Sequence, residues 1–167
     1  KKIIIKHVAD ASTQLQMLQR GDADIIHTLD TDLAGQVAAD PNLELVIGQT
    51  LNMNYLAMSP DPELGGPLAD KKVRQAVSYA VDYEGIMALL NGYADWAPSI
   101  IPLGVMGVDP AMKRTRDLDK ARELLAEAGY EGGGPELDLS YGAEPGSLRE
   151  TVAAKLKSDL EEAGMVV

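Results

Sequence analysis

Between Asp70 and Asp82 the chain reads DKKVRQAVSYAVD, and its apolar residues fall at one spacing only. Val73, Ala76, Val77, Ala80 and Val81 stand at i, i+3, i+4, i+7 and i+8, the stripe of a helix with one buried face. Asp70 stands where an N-cap belongs. The same stretch opens with Lys71, Lys72 and Arg74. It is therefore either a basic recognition helix or a core helix that is basic at one end.

Charge bears on that choice. Asp and Glu number 26 against 15 Lys and Arg, a formal net charge of -11. Nucleic-acid and anionic-membrane surfaces require clustered positive potential, so the charge argues against both classes of partner. The stripe makes the stretch a core helix. Arg74 is then expected in a structural ion pair, with Asp61 or Glu63 near enough to offset cations in a first helical turn. No cysteine is present, which excludes disulfides, thiolate metal sites and Cys nucleophiles. Phe is also absent and aromatics are 4% of residues, so the core must be aliphatic. With 167 residues there is room for one domain or two small lobes.

Around this helix, strand-like and helical runs alternate. Ile3 to Val8 is a β-branched run, Ala11 to Arg20 a helix stopped by Gly21, and Ala23 to Ile26 a second apolar run, a βαβ reading. Leu33 to Ala39 is a helix with Asp30, Thr31 or Asp32 as cap. LELVI (Leu43 to Ile47) and LNMNYLAM (Leu51 to Met58) read as strands, the second with Leu51, Met53, Tyr55 and Ala57 on one face. Asp82 caps a helix ended by Asn91-Gly92, and Asp117 caps one ended by Gly129-Tyr130. ELDLSYG reads as a strand, Glu136 to Tyr141, and a last helix runs from about Leu148 to Ala163. The pieces EAGY and EAGM use one device twice: helix, glycine stop, hydrophobic residue. The chain opens on KKIIIKHV and closes on GMVV. Both read as strand segments, as expected of an internal piece of a longer protein. Unpaired edges of that kind invite self-association.

Motifs for chemistry are sparse. His7 and His27 are the only histidines and have no clustered third ligand, so no metal is assigned. No serine lies in G-x-S-x-G. EGGGPE precedes a strand and lacks the Lys-Ser/Thr of a phosphate loop, so it reads as a flexible turn. Carboxylates are abundant without forming an acid/base constellation. No cofactor is implied. The segment YADWAPSIIPLGVMGVDP has no period and holds the single Trp, and long irregular loops of this kind are often functional. Asn52, Asn54, Tyr55, Trp96 and Tyr141 lie at strand ends or in loops, where aromatic bodies with polar tips suit a concave ligand site. Sealing small apolar patches is the other role open to them.

Three elements in order carry a resemblance. DKKVRQAVSYAVDYEGIMALLNGYADWAPSIIP, the upstream LQMLQRGDADII and the downstream DLDKARELLAEAGYEGG resemble the dipeptide/oligopeptide/nickel family, family 5, of bacterial extracellular solute-binding proteins. The resemblance implies an α/β periplasmic-binding-protein-like fold (type II, cluster C), present in part, with a mixed sheet and flanking helices. Residues 1–48 would belong to one lobe. Residues 49–167 would form a large part of the second, cut at its C-terminal end, with the crossover near Gln49 to Asn54. It implies no enzyme activity, but capture of a peptide or related small solute by hinge closure and delivery to the permease subunits of an ABC importer. The location would be periplasmic or extracellular, free or lipid-anchored, with the signal peptide outside these residues. Cleft-facing positions would be Asn54 and Tyr55, then Trp96 and Ser99, then Tyr141, Glu144 and Ser147. Dipeptide-binding members hold the peptide carboxylate with a basic residue in the loop after the LDLSYG strand. Here that loop is AEPGS, without Lys or Arg, and Arg149 belongs to the next helix. An oligopeptide, sugar or opine-like ligand stays open. Two other classes remain: a hydrolase using Asp95, Asp109 or Glu144, and a free-standing regulatory or interaction domain.

Overall fold

The computed structural model describes residues 2–27, 29–142 and 148–167. The chain divides into two compact units, Lys1–Thr50 and Leu51–Val167. In the first, helices α1 (Ala11–Arg20) and α2 (Thr31–Ala39) pack together through buried Leu15, Ala34 and Val37. Asp10 and Asp30 cap them, each accepting from the backbone N–H three residues on. Gln14 ties α1 to its flanks. Its Nε2 donates to the Val8 carbonyl at 2.8 Å, and its Oε1 accepts from the His27 N–H at 3.4 Å.

The second unit holds α3 (Pro62–Gly65), a 3-10 helix at Gly66–Ala69, α4 (Lys71–Ala80) and α5 (Tyr83–Leu89). A further 3-10 helix follows at Pro110–Met112, then α6 (Leu118–Glu127) and α7 (Leu148–Glu162). The stripe read from the sequence is the core face of α4: Val73, Ala76, Val77, Ala80 and Val81 are all buried. α4 packs chiefly on α6, whose Ala121, Leu124 and Leu125 are buried opposite it, and Leu160 of α7 with Ala163 just beyond its end joins the same cluster. Alanines at the contact let the helices come close, as a helix without bulky core residues requires. Each buried Val or Leu contributes about 1.5–3 kcal/mol by its removal from water.

The caps follow the sequence closely. Asp70, Asp82 and Asp117 each accept a backbone N–H from the first turn they precede. Three helices end on a left-handed glycine with the Schellman pattern. Asp22, Tyr130 and Met165 donate backbone N–H groups to the carbonyls of Met17, Leu125 and Leu160 at 2.8, 2.9 and 3.1 Å. EAGY and EAGM are thus one device, with Met165 buried and Tyr130 packed against the core. The basic start of α4 is also scaffold, though Arg74 departs from the ion pair expected of it. Its Nη1 donates to the carbonyls of Leu68 and Ala69 at 2.7 and 2.9 Å, closing the end of the 3-10 helix. Lys72 makes the ion pair instead, 3.0 Å from Glu127 on α6.

Of the expected mixed sheet, the described residues form one element, a parallel bridge between Glu136 and Val166. The Leu137 N–H donates to the Val166 carbonyl at 2.8 Å, and the Val166 N–H to the Pro135 carbonyl at 3.0 Å. The runs at 3–8, 23–26, 43–47 and 51–58 carry no ladder among the described residues. Ile5 is 92% exposed and Val46 81%. A strand is held by its neighbours' backbone groups rather than by propensity alone, and these runs have no paired neighbour here.

Candidate functional site

Both concave sites described lie in the Leu51–Val167 unit. The larger is an apolar groove of about 420 Å³ lined by Leu51, Asn52, Met53, Tyr55, Ile100 and Pro102. Leu51, Met53 and Tyr55 of the period-2 face read from the sequence line it, but so does Asn52 of the opposite face, and Ala57 does not, so the groove does not separate the two faces. It meets the irregular loop at Ile100 and Pro102.

The smaller cleft, about 180 Å³, lies between Asp82, Tyr83 and Glu84 at the start of α5 and the segment Arg114, Thr115 and Arg116, with Trp96 beside them. Tyr83 and Trp96 stack with centroids 4.4 Å apart and planes 8° from parallel. Lys113 Nζ sits 4.5 Å from the indole centroid, in cation–π range. Arg114 lies over the Tyr79 ring at 5.7 Å. The Tyr83 hydroxyl donates to the Ser78 carbonyl at 2.9 Å. Burial holds its pKa above the usual tyrosine value.

Beneath this cleft runs a chain of alternating charges. Asp159 of α7 is 2% exposed. Its Oδ1 accepts from Lys155 Nζ at 2.5 Å and lies 3.6 Å from Arg116 Nη2, while its Oδ2 accepts from the Asp82 N–H at 3.0 Å. Lys155 Nζ also donates to Asp82 Oδ2 at 2.8 Å. Arg116 Nη2 donates to Glu162 Oε2 at 2.6 Å, and its Nε to the Ala80 carbonyl at 3.0 Å. Two cations and three carboxylates thus join the α4–α5 corner, the lead into α6 and the whole last half of α7.

The Asp82 carboxyl is held below the usual carboxylate range, first by the Lys155 hydrogen bond and then by the Gly85 N–H, against some burial. For Lys155, burial of the ammonium works to lower the pKa. Its hydrogen bonds to Asp159 and Asp82 outweigh that, and the net direction is upward. A carboxyl depressed on folding contributes stability above its unfolded pKa of about 3.9, and the contribution is lost as pH falls through the folded value. Urea midpoints are therefore expected to hold steady from neutral pH to about pH 5 and to drop below about pH 4. Asp82→Asn should flatten that acid limb. An unchanged limb in the variant would show that Asp82 is not one of the groups responsible.

The positions named from the sequence are only partly gathered. Tyr55 lines the groove and is 76% exposed. Asn54 is exposed and lies outside the lining of both concavities, and Tyr141 is 52% exposed. Ser99 turns inward on its own loop, its Oγ accepting from the Ile101 N–H at 3.1 Å. Trp96 belongs to the smaller cleft. Glu144 and Ser147 lie outside the described residues. The hydrolase acids Asp95 and Asp109 differ in setting. Asp109 caps the second 3-10 helix through the Ala111 N–H at 2.9 Å. Asp95 is exposed. Among the described residues, no group of three His, Asp or Glu could hold a metal ion. Sequence reasoning missed Tyr83, Arg116 and Asp159. Only the i,i+4 spacing of Lys155 and Asp159 could have drawn attention to the network.

Comparison with known proteins bears on the whole chain. The sequence is 32% identical over 127 residues to the glutathione-binding protein GsiB of Salmonella typhimurium. It is 33% identical over 134 residues to heme-binding protein A of Haemophilus influenzae. These alignments cover 75% and 79% of the chain but 24% of each relative, so the chain spans about a quarter of the relatives' length. Among solved structures, HbpA2 from Haemophilus parasuis superposes with a TM-score of 0.68 at 27% identity, covering 95% of this chain and 32% of that one. The solute-binding protein MoaA from A. tumefaciens R10, in complex with mannopinic acid, superposes with a TM-score of 0.65 at 20% identity over the same shares. These neighbours place the chain in the fold of the periplasmic binding proteins. The pattern of the bacterial extracellular solute-binding proteins, family 5 (its middle segment), matches residues 1–167, and the chain belongs to that family.

Proposed function

We propose that these residues are part of the substrate-binding component of an ABC importer, which captures a peptide or related small solute outside the cytoplasmic membrane and hands it to the permease. The family match over all 167 residues carries the reading. It is supported by relatives named for binding glutathione and heme and by a fold neighbour in complex with mannopinic acid. The role is binding rather than catalysis, and the relatives are binding proteins. We assign residues 1–48 to one lobe and 49–167 to the other. The extended runs of each would complete a mixed sheet with segments of the remaining protein. In this reading the Leu51–Pro102 groove, with Tyr55 in its lining, is the solute wall of the second lobe, and Asn54, Trp96, Ser99, Tyr141, Glu144 and Ser147 are further solute-contact positions. The component would be free or lipid-anchored.

Ligand would be held between two lobes and would favour the closed arrangement. The test is thermal shift with glutathione, heme, mannopinic acid and short peptides, run on the relatives' full length and on these 167 residues. The full-length form should gain about 5 °C or more with at least one solute at a hundredfold excess over its Kd. The 167 residues alone should move by less than about 1 °C. No shift at full length with any solute, together with unchanged uptake when the gene is deleted, overturns the importer reading. Micromolar binding by the 167 residues alone overturns the shared site.

A further inference from the structure

We propose that the smaller cleft is a binding site for a small aromatic carboxylate, its head against Arg114 and Thr115 and its ring along the edge of the Tyr83–Trp96 pair. In a chain of net charge -11, two runs carry three cations within four residues: Lys71, Lys72 and Arg74, and Lys113, Arg114 and Arg116. The first is spent on structure, since Lys72 pairs with Glu127 and Arg74 closes a 3-10 helix. The second is spent only in part. Arg116 is held by Glu162 and Asp159. Lys113 and Arg114 lie over the rings of Trp96 and Tyr79 and have no carboxylate within 4.0 Å among the described residues.

Local partners, not the overall charge balance, select the sign of the ligand. Lys155 and Arg116 are both taken up by Asp82, Asp159 and Glu162, and counting Lys113, Arg114 and Glu84 as well makes the surroundings neutral overall. Within the lining, Arg114 is the cation with no carboxylate within 4.0 Å among the described residues, while Glu84 is exposed on the first turn of α5. At the Arg114 end a carboxylate is favoured over an ammonium group. Arg114 offers a planar fork that matches a carboxylate in two hydrogen bonds, and Thr115 adds a hydroxyl donor. Size selects the body. At about 180 Å³ the cleft is smaller than the ~300–1,000 Å³ that encloses drug-sized ligands, so one ring and its acid group fill it. The Tyr83–Trp96 stack supplies the aromatic edge such a ring prefers.

The inference goes beyond the importer reading and does not depend on it, because every residue it uses lies in the Leu51–Val167 unit. Trp96 is the chain's single tryptophan, so indole fluorescence reports on this cleft alone. Sodium benzoate is the probe, with benzyl alcohol and benzylamine as neutral and cationic controls. Benzoate should shift the emission saturably, with a midpoint in the millimolar range. Arg114→Gln should weaken that midpoint at least tenfold, and about 1 M salt should weaken it likewise. Lys71→Gln, in the other basic run, should leave it unchanged. If Arg114→Gln loses its helical circular dichroism, Thr115→Val serves in its place and should weaken the midpoint about threefold. Equal responses to all three probes, a benzoate midpoint indifferent to the folded cleft variant, or no saturable response to benzoate overturns the proposal.

Discussion

Asp159→Ala should lower the stability of the Leu51–Val167 unit by about 3 kcal/mol. The carboxylate is almost wholly buried and serves three donors at once: Lys155 Nζ, the Asp82 backbone N–H and, more loosely, Arg116. Removing one partner of a buried ionic group costs about 3–5 kcal/mol, because the charges left behind stay desolvated. The low end applies here for a structural reason. Lys155 keeps Asp82, and Arg116 keeps Glu162 and the Ala80 carbonyl. The Asp82 N–H loses its acceptor outright, which alone costs about 1–3 kcal/mol. Asp159→Asn should cost less, since its side-chain carbonyl can still accept from that N–H. Urea denaturation followed by far-UV circular dichroism gives both numbers. A loss below about 1 kcal/mol for the alanine variant would show that the network is not a determinant of stability. Because the network also holds Asp82 and Arg116, two walls of the Trp96 cleft, the same variant should blunt the benzoate response.

What could be read in advance divides along the length scale of the interaction. Val73 to Val81, the aspartate caps and the glycine exits are settled within one or two helical turns, and the structure has them where the residues place them. Arg74 is a near miss of the same kind: its place was legible as structural, but its partners are carbonyls five and six residues away rather than a carboxylate. Interactions that join distant residues were illegible. Asp159 meets Asp82 across 77 positions, and the i,i+4 spacing of Lys155 and Asp159 marks one end of that link without pointing to the other. The sequence leaves Trp96 between two roles. The structure stacks it on Tyr83, a residue of α5 that no local pattern singles out. The strand runs were legible as pattern but not as sheet, because a ladder requires a neighbour and the pattern of one strand does not specify it.

EGGGPE holds the sharpest difference between reading and structure. As sequence it is a flexible turn, three glycines of equal standing. In the structure they are unequal. Nothing lies within 4 Å of a Cβ built on Gly132 or Gly133, whereas one built on Gly134 would lie 2.0 Å from the Gly164 carbonyl oxygen and 2.6 Å from Met165 Cα. Those are backbone atoms on both sides, and the Gly134 N–H donates to that same carbonyl at 2.8 Å. Gly134→Ala must therefore force the two segments apart by more than about 1 Å, since such contacts are unfavourable well before that overlap. Three consecutive backbone hydrogen bonds would be strained or broken: Gly134 to Gly164, Val166 to Pro135 and Leu137 to Val166. At about 1 kcal/mol each, with looser packing of Leu137 and Met165 in the core, the expected loss is about 3–4 kcal/mol. Gly132→Ala and Gly133→Ala should be neutral or stabilising by up to about 1 kcal/mol, through the reduced freedom of the unfolded chain. Equal small effects at all three positions in urea denaturation would mean that the 134–137 and 164–167 segments are not held together as described. A loss confined to Gly134 would make this parallel contact the point from which the expected sheet grows, because it is where the chain already carries both the register and the close backbone approach that a further strand would extend.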